Sequence, residues 1–172
     1  MNNKYYNKYK KWKNKYLALK GGQKYYYHGS QKLIENYLEP KPSKVLEGDE
    51  AVFATNTKWL ALIFIAHTTD SDIEIGFIDN IPYIMEQYPE AFNKFLNTGG
   101  YIYYVDPELF KSDTRLGMQQ HEFISDNKVP IIKKEEIENI YKALKETEVN
   151  FISYEEKENC LHELLKKKTK KD

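Results

Sequence analysis

The sequence predicts an α+β fold on three observations. Strand-like and helix-like segments are mixed along the chain without regular β-α-β alternation. No Gly-rich phosphate loop follows any strand-like run, which argues against a doubly wound parallel sheet. Apolar residues make up 41% of 172 residues, enough for the core of one domain with some chain left for tails. The expected organisation is a basic aromatic N-terminal helix over 1–22, a single α+β domain over 23–165 and a basic tail over 166–172.

The first segment, NKYYNKYKKWKNKYLALKGG, reads as a helix stopped by Gly21 and Gly22. Tyr5, Tyr9, Trp12, Tyr16 and Leu19 are spaced 4, 3, 4, 3 on one seam, with Lys4, Lys8, Lys11 and Lys15 beside it. Such a helix docks its stripe on the body or on a partner; a membrane-surface or nucleic-acid helix is the alternative. QKYYYHGS is strand-like, and Ser30 can cap a helix over 31–38 with Leu33, Ile34, Tyr37 and Leu38 inward. EPKPSKVLEGDE is loop, and AVFAT is a buried strand. Thr55 or Asn56 caps a helix that is apolar nearly all round and therefore central. IEIGFI alternates as a strand, PEAFNKFLNTGG is a helix with a glycine stop, and YIYYVD is a strand. Pro107 opens a single turn, KSDTRLGMQQ is loop, and HEFIS and VPII are strands. Ile137, Ile140, Tyr141 and Leu144 mark a helix over 134–147, VNFISY a strand, and 155–168 a last helix.

The net charge of zero hides an asymmetry. Residues 1–20 carry seven lysines and no acid, whereas 21–165 carry 14 basic and 25 acidic residues, a net of −11. Basic ends on an acidic body suggest nucleic-acid or protein partners for the tails. A single cysteine, Cys160, excludes an internal disulfide and points to a reducing, cytoplasmic compartment. No apolar leader is visible, and the longest apolar run, WLALIFIA, is too short to span a bilayer. No metal is expected. His121 precedes Glu122 without an H-E-x-x-H pattern, and DSDIE has Ile75 where a calcium loop needs its glycine. His67 reads as half-buried, His162 as solvated, and Cys160 as core more than nucleophile.

In order along the chain come YYHGS, AVFATNTKWLA and HEFIS. This series resembles the ADP-ribosyltransferase fold of the poly-ADP-ribose polymerase branch, and resembles short uncharacterised HGS…VFAT proteins more closely. The match covers most of 24–130. It implies split antiparallel sheets with flanking helices, NAD as cofactor and transfer of ADP-ribose to a macromolecule. It also implies roles for four residues: His28 for a ribose hydroxyl, Gly29 for backbone contact with the carboxamide, Ser30 for a further hydroxyl, and Glu122 for the oxocarbenium-like transition state. Phe53 is a candidate to stack on the ligand, with Phe64 and Tyr27 as alternatives. There are departures: Val52 stands where that branch has tyrosine, Leu60 where it has serine, and Ile63 near the stacking aromatic. A catalytically inactive nucleotide- or protein-binding module of the same fold is therefore the alternative, and a basic-tailed packaging or scaffold protein a third. The leader resembles the Lys/Tyr/Asn-rich leaders of giant amoebal DNA virus proteins, which implies host cytoplasm or virion.

Overall fold

The structure is a computed structural model in which residues 25–66, 71–78 and 80–158 are described. Segments rich in tyrosine and β-branched residues form most of its strands. They are β1 (Tyr26–Ser30), β2 (Tyr37–Leu38), β3 (Lys41–Pro42), β4 (Glu50–Thr55), β5 (Ile73–Ile78), β6 (Ile81–Glu86), β7 (Gly100–Val105), β8 (Glu122–Ser125), β9 (Val129–Pro130), β10 (Lys133–Ile137) and β11 (Asn150–Ile152). Between them lie α1 (Lys58–Ile65), α2 (Ala91–Leu96), α3 (Ile140–Lys145) and a 3-10 turn at Pro107–Leu109. The main sheet runs β10-β7-β1-β4-β3, with β8 also paired to β4; β11-β6-β5 form a second sheet and β2-β9 a third. Pairing is antiparallel in β1–β4, β2–β9, β3–β4, β4–β8 and β5–β6, and parallel in β6–β11. The fold is thus mixed α+β with mostly antiparallel sheets.

By contacts, the described chain groups into two compact units, one of 25–28, 34–58 and 103–134, the other of 29–33, 59–102 and 135–158. In the first, β4 is the spine. Ala51, Val52, Ala54 and Thr55 are all buried, because β4 has strands on both sides and neighbours on both faces. Leu46, Ala51, Leu116 and Ile124 form its apolar cluster, with Phe53 packed against them. Arg115, the single arginine of the chain, clasps this region from outside. Its guanidinium donates to Asp113, to Asp49 and to the Leu46 carbonyl, and it holds the Asp113 carboxyl down at about 2.

In the second unit α1 is buried nearly all round through Trp59, Leu60, Ala61, Leu62, Ile63 and Ile65, as its composition predicts. Tyr83, Met85 and Ile152 bind β6 to β11, with Ile78 packed against them. Glu86 is buried at 5% exposure and uses both carboxylate oxygens on backbone N–H groups, of Phe92 at 2.9 Å and Tyr154 at 3.1 Å. Buried acids are tolerated when their oxygens are satisfied in this way.

Four expectations change. No helix forms over 31–38. Ser30 Oγ accepts the Lys32 N–H in a bend, the Ile34 N–H is taken by the Tyr103 hydroxyl, and Leu33 and Tyr37 are exposed. The helix expected over 134–147 is only α3, because 133–137 are drawn into β10, and Asn139 then caps α3 by accepting the Lys142 N–H at 2.8 Å. β6 is unforeseen. The glycines after α2 do not stop it: α2 ends at Leu96, and a Cβ on Gly99 would lie 2.6 Å from the Ile137 carbonyl oxygen, so Gly99 serves a close backbone approach. The N-terminal helix over 1–22, His67, Cys160, His162, most of the helix over 155–168 and the tail over 166–172 lie outside the described residues.

Candidate functional site

β1 holds His28 beside β4. The ring nitrogen Nδ1 lies 2.7 Å from the Phe53 carbonyl oxygen. A carbonyl only accepts, so Nδ1 carries the proton, and a neutral ring keeps its lone pair on Nε2. Burial pushes the imidazole below its ordinary value; the Phe53 bond opposes this shift and the Lys41 charge adds to it. His28 is therefore neutral near pH 7 and presents an acceptor through Nε2. That chemistry suits a hydroxyl or N–H of a ligand and gives nothing to an anion.

Glu122 opens β8. Its Oε2 accepts the Met118 N–H at 2.8 Å, while the Met118 carbonyl accepts the N–H groups of His121 at 2.7 Å and Glu122 at 2.9 Å. The carboxylate thus closes the turn that leads into its own strand. Beside it, Asn56 ties the end of β4 to the same turn. Its Nδ2 donates to the Gln120 carbonyl at 2.9 Å, and its Oδ1 faces His121 Nδ1 at 3.0 Å. Because Nδ2 is the donor of that amide, Oδ1 accepts and His121 Nδ1 carries the proton.

Register decides whether His28 and Glu122 meet. Tyr27 pairs with Thr55, and Thr55 pairs with Glu122, so one cross-strand row holds Tyr27, Thr55 and Glu122. Residues opposite one another share a face, and successive residues alternate. His28, one position on from Tyr27, therefore belongs to the other face, with Ala54 and Phe123. The aromatic contacts agree. Tyr25 and Tyr27 both meet the Tyr104 ring edge-on, at 5.5 and 5.2 Å, whereas Tyr26 stacks on Phe123 at 4.4 Å and His28 lies 6.1 Å from Tyr103. The expectation that His28 and Glu122 line one cleft is corrected: they stand on opposite faces of β1-β4-β8.

The remaining expected site residues are placed as follows. Gly29 is covered by α1 on the side where a side chain would stand, since a Cβ there would lie 2.0 Å from the Ala61 carbonyl oxygen. The absence of a side chain is needed for helix-on-strand packing. Ser30 spends its hydroxyl on the Lys32 N–H at 3.1 Å. Phe53 lends His28 only its carbonyl, while its ring packs on the Leu46–Ile124 cluster of the opposite face. Val52, Leu60 and Ile63 are core residues, and Phe64 is 36% exposed. Sequence reasoning missed the Asn56–His121 pair, the Met118 amide and Glu86. Only Asn56 carried a local signal, its position before a helix.

Among the described residues no group of His, Cys, Asp or Glu is arranged to hold a metal ion, and no helix is long and apolar enough to cross a membrane. Compared with known proteins, the chain matches no family model, no curated protein and no solved structure.

Proposed function

We propose that this chain is a catalytically silent binding module of ADP-ribosyltransferase-like build. The motif strands support the build: β1 with YYHGS, β4 with AVFAT and β8 with EFIS lie side by side in one sheet. The observation that carries the reading is the placement of His28 and Glu122 on opposite faces. ADP-ribosyl transfer needs both residues to reach one bound NAD, the histidine at a ribose hydroxyl and the carboxylate near the anomeric carbon, within a ligand's width of each other. With a sheet between them, the two side chains point away from one common ligand. Gly29 covered by Ala61, and Val52 and Leu60 in the core, point the same way.

The transferase reading keeps one specific observation, the neutral His28 with an accepting Nε2, which suits a ribose hydroxyl. Two measurements on the full-length protein separate the readings. Calorimetry with NAD reports binding, and nicotinamide release with nucleic-acid and protein acceptors reports chemistry. The binding-module reading expects no nicotinamide release above background. Release that drops about a hundredfold or more in Glu122→Gln, with NAD affinity kept, would overturn it and restore transfer. The scaffold reading rests on the two basic ends, which lie outside the described residues.

A further inference from the structure

In the second unit α2, α3 and β11 each bring one ring to a shared aromatic cluster: Phe92, Tyr141 and Phe151. Tyr141 and Phe151 meet edge-to-face, with centres 5.0 Å apart and planes at 74°. Phe92 braces them from the core, 5.3 Å from Phe151 at 82° and 6.3 Å from Tyr141. Phe92 is buried, whereas Tyr141 and Phe151 keep part of their surface in water. Two rings held near a right angle by a buried third form a fixed, accessible aromatic corner.

A cation already sits in that corner. Lys145 ends α3 one turn after Tyr141, and its Nζ lies 5.0 Å from the Tyr141 ring centre and 5.1 Å from that of Phe151. Lys145 is exposed and forms no ion pair among the described residues, although Glu146 and Glu148 follow it in the chain, exposed and equally without one. The π-faces attract its charge, but a primary ammonium is strongly hydrated, so the hold at an exposed site is weak. Methylation of an ammonium keeps the charge and replaces N–H groups by methyls. Such a cation gives up less water and adds apolar contact with the rings. Residues 135–158 carry eight acidic and three basic residues, a surround that favours a cation and opposes the phosphate of a choline lipid.

We infer that the Tyr141–Phe151 corner is a recognition site for a methylated lysine of a partner protein, held shut by Lys145 until that partner arrives. The corner already accepts an ammonium on a lysine stem, which is the shape of the occupant. An incoming lysine must displace Lys145, so the apparent affinity is lowered by the fraction of chains in which the corner is open. The site lies within the second unit and uses none of His28, Phe53 or Glu122, so it is independent of whether the chain transfers ADP-ribose.

The test titrates the isotope-labelled full chain with a short arginine–glycine peptide that carries one trimethyllysine, and with the same peptide unmethylated. The expected result is a saturable shift of the Tyr141, Lys145 and Phe151 signals, reached at lower concentration with the trimethylated peptide. Lys145→Ala removes the competitor at an exposed helix end and should tighten the trimethylated peptide about two- to fivefold, the worth of an exposed cation–π contact. Tyr141→Leu keeps an apolar side chain without the π-face and should abolish the difference between the two peptides. Should that variant fail to fold, the Lys145→Ala comparison decides alone. Three results would overturn the inference. One is the absence of a saturable shift in both the wild type and Lys145→Ala. Another is equal binding of the two peptides, or weaker binding in Lys145→Ala. The last is tighter binding of choline or of phosphatidylcholine vesicles than of the trimethylated peptide, which assigns the corner to a small molecule or a lipid surface.

Discussion

A Cβ on Gly29 would meet a backbone atom, the Ala61 carbonyl oxygen, which cannot swing away as the end of a side chain can. Gly29→Ala is therefore expected to cost about 3 kcal/mol, the upper end of what overpacking costs, read as a lowered urea midpoint. Unchanged stability would return Gly29 to a ligand-facing role. For His28 the sign of the pH dependence follows from burial. The folded-state value lies below the ordinary 6.5, so the folded chain binds fewer protons than the unfolded one. Its contribution is complete above 6.5 and is lost as pH falls through 6.5 toward the folded value. Urea unfolding between about pH 7.5 and 5.5 should show this loss, and His28→Gln should flatten it. At Glu122 the engaged atom is an acceptor, Oε2 on the Met118 N–H. Glu122→Gln keeps an acceptor and should leave stability nearly unchanged, whereas Glu122→Ala should cost about 1 kcal/mol by denaturation.

The elements differ in how far local signals define them. β1, β4, β5, β7 and β8 follow their patterns because alternation and aromatic or β-branched content act in the same direction as the sheet. β10 does not. KKEEIENIYKAL has the residue types and spacing of a helix, yet 133–137 pair beside β7, and the helix begins only after the Asn139 cap. Sheet pairing outweighs helix propensity, which is worth only tenths of a kcal/mol per residue. Pro82 disguises β6, since proline within a run argues against a strand, although β6 is the middle strand of its sheet. At the end of β6, Glu86 bolts α2 and the turn at Tyr154 through two backbone N–H groups. Glu86→Gln presents a donor where one N–H needs an acceptor, and is expected to cost about 1–3 kcal/mol; Glu86→Ala, which abandons both, should cost more. Chemical denaturation of the two variants checks the order.

Over the whole chain, opposite charges are sorted by position while the sum is zero at pH 7. Molecules with no net charge and oppositely charged regions attract one another at low salt. Light scattering should therefore rise near pH 7 in low salt and fall on adding salt or on moving to about pH 9, where histidines stay neutral and some lysine charge begins to be lost. Scattering that is flat across these conditions would show that the charged ends are already neutralised within each chain.

The sequence by itself determined the α+β class, the positions of most strands, the central apolar helix α1 and the candidacy of His28 and Glu122. Those features are encoded locally, in alternation, in turn residues and in short motifs read along the chain. Only the tertiary structure decided what stands across from what. Strand pairing sets faces with a period of two, so the one-residue offset between Tyr27 and His28 is enough to send His28 and Glu122 to opposite sides of the sheet. The same holds for Gly29: its lack of a side chain is visible in the sequence, but the Ala61 carbonyl that fills the space comes from a helix 32 positions away.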